Sequence, residues 1–152
     1  MDEKENMRAL AWARETDLPA ILTLLNVCIL PTEGVDAVLP TMLVASEGEY
    51  LIGCAALEMY GTVALLRSVA IHPAQRSRML GQQLVQAILD HARSLRIHEV
   101  YLLTETASEY FPRFGFRLID RSAVAPAIQR SVEWEVACPV SAHAMVLHLN
   151  TA

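Results

Sequence analysis

The sequence lacks most features that mark secreted, membrane-spanning or metal-binding proteins. Its three cysteines, Cys28, Cys54 and Cys138, are far apart, and no CxxC motif or Cys/His cluster occurs. Neither a disulfide framework nor a local zinc site is therefore predicted. No apolar run reaches the ~18 residues of a membrane span, and the acidic amino terminus lacks the apolar stretch of a signal peptide. We expect a cytoplasmic protein with no membrane association and no bound metal.

Positive charge is also scarce. The 12 lysines and arginines are outnumbered by 17 aspartates and glutamates, which gives a formal net charge of -5. This balance argues against nucleic acid as a partner. Aromatic residues make up only 6% of the chain, but hydrophobic residues reach 53% of its 152 positions. This length and apolar content exclude intrinsic disorder and suit a single domain, which we place at residues 8–150.

Strand and helix patterns alternate along the chain. Alternating or continuous apolar runs predict strands at residues 9–14, 41–46, 50–60, 62–72, 98–104, 116–120 and 144–149. Helical spacing predicts helices from 16–19 to just before Pro31, at 80–95, near 107–114 and at 125–137. The strand–helix–strand unit formed by residues 62–104 should be parallel and right-handed. We therefore predict an α/β fold with a mixed central sheet of about six to seven strands, flanked by helices on both faces.

The loop at residues 75–81 lies between a buried strand and the amino terminus of a helix. Free backbone N–H groups and the positive end of the helix dipole favour an anion there, and Arg76 and Arg78 add charge. No Gly-Lys-Ser/Thr follows, and the loop has one glycine, so Walker and dinucleotide-binding motifs are excluded. The spacing alone leaves open that these arginines serve only solubility.

Residues 69–84, VAIHPAQRSRMLGQQL, resemble the acetyl-CoA motif of the GNAT N-acetyltransferases, a hydrophobic strand followed by R-x-x-G-x-G/A at a helix start. Residues 110–116, YFPRFGF, are similar to a later aromatic segment of that family, and the order of elements fits the GNAT fold over about residues 8–150. The resemblance implies acetyl-CoA as cosubstrate, with its pantetheine arm paired along Val69 and Ile71. It also implies a thioester-binding backbone N–H at Val69 and cofactor-binding residues Arg76, Ser77, Arg78, Met79, Leu80, Gly81 and Phe111.

Two positions depart from the family pattern. Met79 stands where the family has its first glycine, and a methionine is accommodated there if residue 79 lies in the first helical turn. Phe111 stands where the family often has a tyrosine that acts as general acid. Tyr110 is adjacent, but neighbours on a helix do not share a face.

Five further segments resemble a narrower group, the arsenic-resistance-associated N-acetyltransferases. They are LPTE at residues 30–33, ALEMYG at 56–61, ALLRSV at 64–69, LLTET at 102–106 and CPVSA at 138–142. This resemblance implies a cytoplasmic acetyltransferase linked to arsenic resistance, and it does not identify the molecule that is acetylated.

A few polar residues in these segments are candidates for substrate contact. Arg67 lies in an otherwise apolar strand, where a charge is costly unless paired. We expect it to form an ion pair with Glu58, a clamp for an anionic substrate, or both. Glu58 is the candidate acceptor of the amine proton, directly or through water. Glu33 is an alternative base, an ammonium ligand or a helix-cap carboxylate, and Thr104 binds substrate or caps the following helix.

We therefore predict an acetyl-CoA-dependent N-acetyltransferase that acts on a small, anionic amine of amino-acid or organoarsenical type and forms a homodimer. The alternative is a non-catalytic CoA sensor or protein-interaction module with the same fold. Met79 and Phe111 motivate that alternative, because both replace residues that the family uses around the thioester.

Overall fold

A computed structural model describes residues 9–76, 79–131, 134 and 142–149. Within these residues, seven strands form one sheet in the order β1-β2-β3-β4-β5-β7-β6. They are β1 (Ala9–Trp12), β2 (Met42–Glu47), β3 (Tyr50–Tyr60), β4 (Val63–Ile71), β5 (Glu99–Thr104), β6 (Arg117–Ile119) and β7 (His143–His148). The same residues form helices α1 (Leu18–Val27), α2 (Leu80–Ser94) and α3 (Pro126–Gln129). None of the described helices is long and apolar enough to span a bilayer.

The pairing of these strands confirms the predicted mixed α/β sheet. β1 with β2 and β2 with β3 are antiparallel, whereas β4 and β5 are parallel, as predicted for two strands joined by a helix. β7 lies antiparallel between β5 and β6. The seven strands are the larger of the two numbers predicted for this sheet.

Two predicted helices are much shorter than expected. The helix predicted near 107–114 is a 3-10 turn, Phe111–Phe114. A longer α-helix would have placed Pro112 in its interior, where proline removes a hydrogen bond and clashes with the preceding turn. The helix predicted at 125–137 is the four-residue α3, which ends as the Ser131 N–H donates to the Ile128 carbonyl, a 3-10 contact. Residues 132–133 and 135–137 of that prediction lie outside the described residues.

The described residues up to 56, together with those from 68 to 88, form one compact unit. Its core joins α1 to the inner strand residues and comprises Ile21, Leu24, Leu25, Val35, Val38, Leu39, Met42, Val44, Cys54, Ala56 and Ala70. Gly53 of β3 faces α2 closely: a Cβ added there would lie 2.8 Å from Leu84 Cδ1 and 3.3 Å from Leu80 Cδ2. A glycine at this position thus brings the first two turns of α2 against the strand.

The remaining described residues, 57–67 and those from 89 onward, form a second compact unit. Its core comprises Leu65, Tyr101, Val124, Ile128, Ala144 and Val146. The parallel ladder between β4 and β5 pairs Val63 with Glu99 and ends with Leu65 opposite Tyr101. β4 itself continues to Ile71, so its last six residues lie beyond that ladder.

Substitution of Gly53 by alanine is expected to lower the free energy of unfolding by about 1 kcal/mol. Overpacking against Leu84 costs about 1–3 kcal/mol. The lower conformational entropy of the unfolded alanine variant offsets about 0.4–1 kcal/mol of this cost. Urea denaturation of Gly53→Ala measures the difference. The same change should cost less in a Leu84→Ala background, and an equal cost in both backgrounds would contradict the close packing.

Candidate active site

The backbone of β4 is kinked just before the residue predicted to bind the thioester. Ser68 has a φ of 59°, which is rare for a residue other than glycine, and it is 7% exposed. Its carbonyl accepts a hydrogen bond from Cys54 Sγ at 3.2 Å. Val69 follows this residue and lies beyond the end of the β4–β5 ladder. The predicted roles of Val69 and Ile71 toward the pantetheine arm stay predictions.

The carbonyl at the end of β4 holds the loop that follows. Arg76 Nε donates to the Ile71 carbonyl at 3.0 Å, and Arg76 Nη2 lies 3.4 Å from Cys28 Sγ. Cys28 Sγ donates to the same carbonyl at 3.4 Å. Arg76, which the sequence assigned to the anion, thus ties the loop to the strand end and to the residue that follows α1. Ser77 and Arg78 lie outside the described residues.

Met79 does not lie in the first turn of α2, which was the condition under which a methionine was expected to be accommodated there. It immediately precedes the helix with a φ of 61°, and its side chain is 66% exposed. Glycine adopts this left-handed conformation freely, whereas a residue with a Cβ does so at a cost. The structure thus gives a backbone reason for the glycine that the resembled motif has here. Leu80 is fully buried, so its side chain is unavailable to a ligand.

Glu58 and Arg67 form the ion pair predicted as one of two alternatives. Arg67 Nη1 lies 2.9 Å from Glu58 Oε2, and the side chains are 0% and 15% exposed, respectively. A guanidinium without exposed surface is held in place by its partners, so this geometry favours the ion pair. The alternative, a clamp for an anionic substrate, stays a prediction.

Two further hydroxyl groups complete this cluster. The Tyr60 hydroxyl donates to Glu58 Oε1 at 2.6 Å, and Ser131 is a further hydrogen-bond partner of Glu58. Burial raises the pKa of Glu58, but the hydrogen bonds from Ser131, Tyr60 and Arg67 outweigh it and hold the pKa below its usual value. Burial, followed by the Glu58 contact, raises the pKa of Tyr60 to about 12. At neutral pH the cluster therefore holds an ionised carboxylate and a protonated phenol.

The sequence did not identify Tyr60 or Ser131. The sequence could have indicated Tyr60, because it is two residues after Glu58 and residues two apart on a strand share a face. Ser131 had no comparable signal, since it follows a helix distant in sequence from β3.

The remaining predicted site residues have less distinctive surroundings. Glu33 is exposed on the segment between α1 and the 3-10 helix Val35–Thr41. Thr104 Oγ1 accepts a hydrogen bond from the Ala107 N–H at 2.9 Å, which closes a local turn and does not cap a helix, because the next helical residues are Phe111–Phe114. Gly81 is half-buried in the first turn of α2. Their contacts with substrate or cosubstrate stay predictions.

Phe111 is 6% exposed and lies in an aromatic cluster. Its ring meets that of Tyr110 edge to face at a centroid distance of 5.2 Å and that of Phe116 at 5.8 Å. The Arg113 guanidinium lies 4.2 Å from the centre of the Tyr110 ring. Burial raises the pKa of Tyr110, which Arg113 partly offsets. Phe111 carries no ionisable proton, so the acid role of the family's tyrosine has no equivalent at this position.

Comparison with protein families gives a match over most of the chain. The acetyltransferase (GNAT) family matches residues 7–116. An amino-acid acetyltransferase from Mannheimia succiniciproducens is 40% identical over 70 residues, which are 45% of this chain and 16% of that protein. One from Mycobacterium tuberculosis is 32% identical over 79 residues, 51% of this chain and 45% of that protein. The chain thus matches less than half the length of these curated relatives.

Solved structures show the same fold. N-acetylglutamate synthase from Neisseria gonorrhoeae, complexed with coenzyme A and L-arginine, superposes with a TM-score of 0.79 at 22% identity. That match covers 96% of this chain and 34% of the synthase. Rv2747 from Mycobacterium tuberculosis, in complex with CoA, gives a TM-score of 0.79 at 25% identity and covers 93% of this chain and 99% of its own.

Replacing Met79 by glycine is expected to give a more stable protein than replacing it by alanine. The left-handed conformation costs a residue with a Cβ about 1–2 kcal/mol, and the greater freedom of glycine in the unfolded chain cancels about 0.5–1 kcal/mol of that. Urea denaturation of Met79→Gly and Met79→Ala should therefore differ by about 0.5–1 kcal/mol. An alanine variant as stable as the glycine variant would contradict the left-handed assignment.

Removal of the buried guanidinium is expected to destabilise the protein strongly. Arg67→Met leaves Glu58 without its cation, which should cost about 3 kcal/mol. Adding Glu58→Gln should recover part of that loss, because the uncompensated charge is then removed.

Arg93→Met is the matched control for this experiment. It breaks an ion pair of 3.2 Å between exposed side chains, Arg93 and Asp90, and should cost less than about 1 kcal/mol. Thermal and chemical denaturation of the four proteins test the prediction. Equal losses at Arg67 and Arg93 would show that the buried pair is energetically unimportant.

Proposed function

This chain belongs to the acetyltransferase (GNAT) family, and on that premise we propose that it transfers the acetyl group of acetyl-CoA to the amine of an amino-acid-type molecule. The family match over residues 7–116 carries the proposal. The family uses acetyl-CoA, so the family match confirms the expected cosubstrate. The amino-acid acetyltransferases among its relatives support the class of acceptor.

The strand–loop–helix segment suits the cosubstrate in three respects. The backbone of Val69 lies beyond the β4–β5 ladder, Arg76 fixes the loop entrance, and α2 begins at Leu80 with the positive end of its dipole at the loop. When bound, acetyl-CoA supplies an activated acyl group. We assign Val69 N–H to its thioester oxygen, and the backbone and side chains of Arg76, Ser77, Arg78, Met79 and Gly81 to its phosphates.

Glu58 has the charge required to receive the acceptor amine. Its carboxylate is ionised at neutral pH, so it attracts an ammonium group, and its side chain is 15% exposed. A carboxylate with a lowered pKa is a weak base, which favours passage of the amine proton through water to solvent over direct abstraction. The amine must lose that proton before it attacks.

The finer features of the proposal come from the resemblance to the arsenic-resistance-associated group. They are an anionic acceptor of amino-acid or organoarsenical type, a role in arsenic resistance, a cytoplasmic location and a homodimer. Glu33 and Thr104 are the further residues assigned to the acceptor, and Arg67 is assigned to its anionic group.

A second candidate is a CoA-binding protein without catalytic activity. It is favoured by the left-handed conformation of Met79 next to the cosubstrate loop and by the absence of an ionisable proton on Phe111. Calorimetry with CoA separates the two, because tight binding without turnover of any amine supports this candidate.

The decisive test incubates the protein with acetyl-CoA and a panel of amino acids and organoarsenical amines, and measures release of the CoA thiol. We expect release with at least one amine, and absence of release with every amine would contradict the enzyme.

Glu58→Gln should reduce kcat/KM for the amine by about tenfold or more, because it removes the charge that attracts and orients the acceptor, while the affinity for CoA is unchanged. Glu99→Gln is its matched control, because Glu99 also accepts a hydrogen bond from a tyrosine two residues later, at 2.8 Å. Equal effects of the two substitutions would remove Glu58 from the reaction.

A further inference from the structure

The two oxygens of the Glu58 carboxylate have donors on different strands. Tyr60, on β3 itself, donates to Oε1 at 2.6 Å, and Arg67, on β4, donates to Oε2 at 2.9 Å. Both contacts are short enough to be strong charge-assisted hydrogen bonds. Together with Ser131, the further hydrogen-bond partner of Glu58, they restrict the orientation of the carboxylate.

The Tyr60 contact also opposes a competing arrangement. The fork of an arginine guanidinium binds both oxygens of a carboxylate in parallel when it is free to do so. A carboxylate held in that way turns both oxygens toward the arginine, here into the interior where the Arg67 side chain is completely buried. The Tyr60 hydroxyl gives Oε1 a donor on β3 itself.

We propose that Tyr60 is a positioning residue for acetyl transfer, whose hydroxyl holds the Glu58 carboxylate turned toward the acceptor amine. The inference rests on the proposed function of Glu58. Tyr60 has no acid role in this proposal, because its hydroxyl hydrogen is engaged by Glu58 Oε1. Its contribution is a fixed donor.

The structure provides a matched control for this hydroxyl. Tyr101 donates to Glu99 Oε1 at 2.8 Å, again two residues along one strand, and its pKa is also raised to about 12 by burial followed by the carboxylate contact. Tyr60→Phe and Tyr101→Phe therefore remove the same atom from the same kind of pair. Only the first pair contains a residue assigned to the reaction.

The experiment measures steady-state kinetics of both variants with the best amine from the panel. For Tyr60→Phe we expect kcat to fall about tenfold, with the KM for acetyl-CoA unchanged, and for Tyr101→Phe we expect wild-type values. Tenfold is the loss expected for one hydrogen bond to a charged group. Wild-type kcat in Tyr60→Phe, or equal losses in both variants, would overturn the proposal.

Titration of Glu58 by carbon-13 NMR gives a readout that does not depend on turnover. Removal of the Tyr60 donor should raise the Glu58 midpoint by about one pH unit, whereas Tyr101→Phe should leave it unchanged. If the wild-type protein acetylates no amine, the proposed function fails, and a raised midpoint in Tyr60→Phe still supports the positioning of Glu58. An unchanged midpoint overturns that positioning whatever the activity.

Discussion

A fully buried guanidinium on β4 determines the polar structure around it. Removal of a cation from water costs several kcal/mol unless an anion and further hydrogen bonds replace the water. Arg67 has no exposed side-chain surface, so it requires Glu58, and Glu58 in turn requires donors for its second oxygen. Tyr60 supplies one, and Ser131 contributes another from the segment after α3. The cluster is therefore one unit: loss of any member leaves another buried group unsatisfied, which explains why an otherwise apolar strand retains a charge.

Backbone strain distinguishes the predicted cosubstrate segment more clearly than its side chains do. Among the described residues, four other than glycine have positive φ: Ile29, Ser68, Met79 and Arg96. Ile29 and Arg96 follow α1 and α2, and the next N–H reaches back to the Leu25 and Ala92 carbonyls, which is a common way for helices to end. Ser68 and Met79 have no such explanation: Ser68 immediately precedes the predicted acetyl-CoA segment, residues 69–84, and Met79 lies within it. Strain of this kind persists where the surrounding structure imposes it, and it is frequent at functional sites.

Local periodicity predicted the long strand and the long helix, in which the apolar pattern extends over many residues. The strand at 50–60 has the bounds predicted, and the helix predicted at 80–95 is α2, Leu80–Ser94. The pattern failed where proline limited the helix, at Pro112. In the site, the Glu58–Arg67 pair was predicted as one alternative from a charge in an apolar strand. Tyr60 could also have been predicted, because it is two residues after Glu58 and residues two apart on a strand share a face. The contacts of Ser131 and Arg76 and the φ of Met79 depend on tertiary packing, which no local pattern encodes.

The chemistry of the cluster bears on why an amine, rather than an alcohol, would be the acceptor. A carboxylate whose pKa is held low stays charged at every physiological pH, so it attracts an ammonium group. The same carboxylate is too weak a base to activate a hydroxyl, whose proton is far less acidic. An amine needs no such base, because a fraction of it is neutral in water and that fraction attacks the thioester once it is positioned. On the proposed function, Glu58 thus contributes attraction and orientation, and the rigidity of its donors determines how well the acceptor is placed.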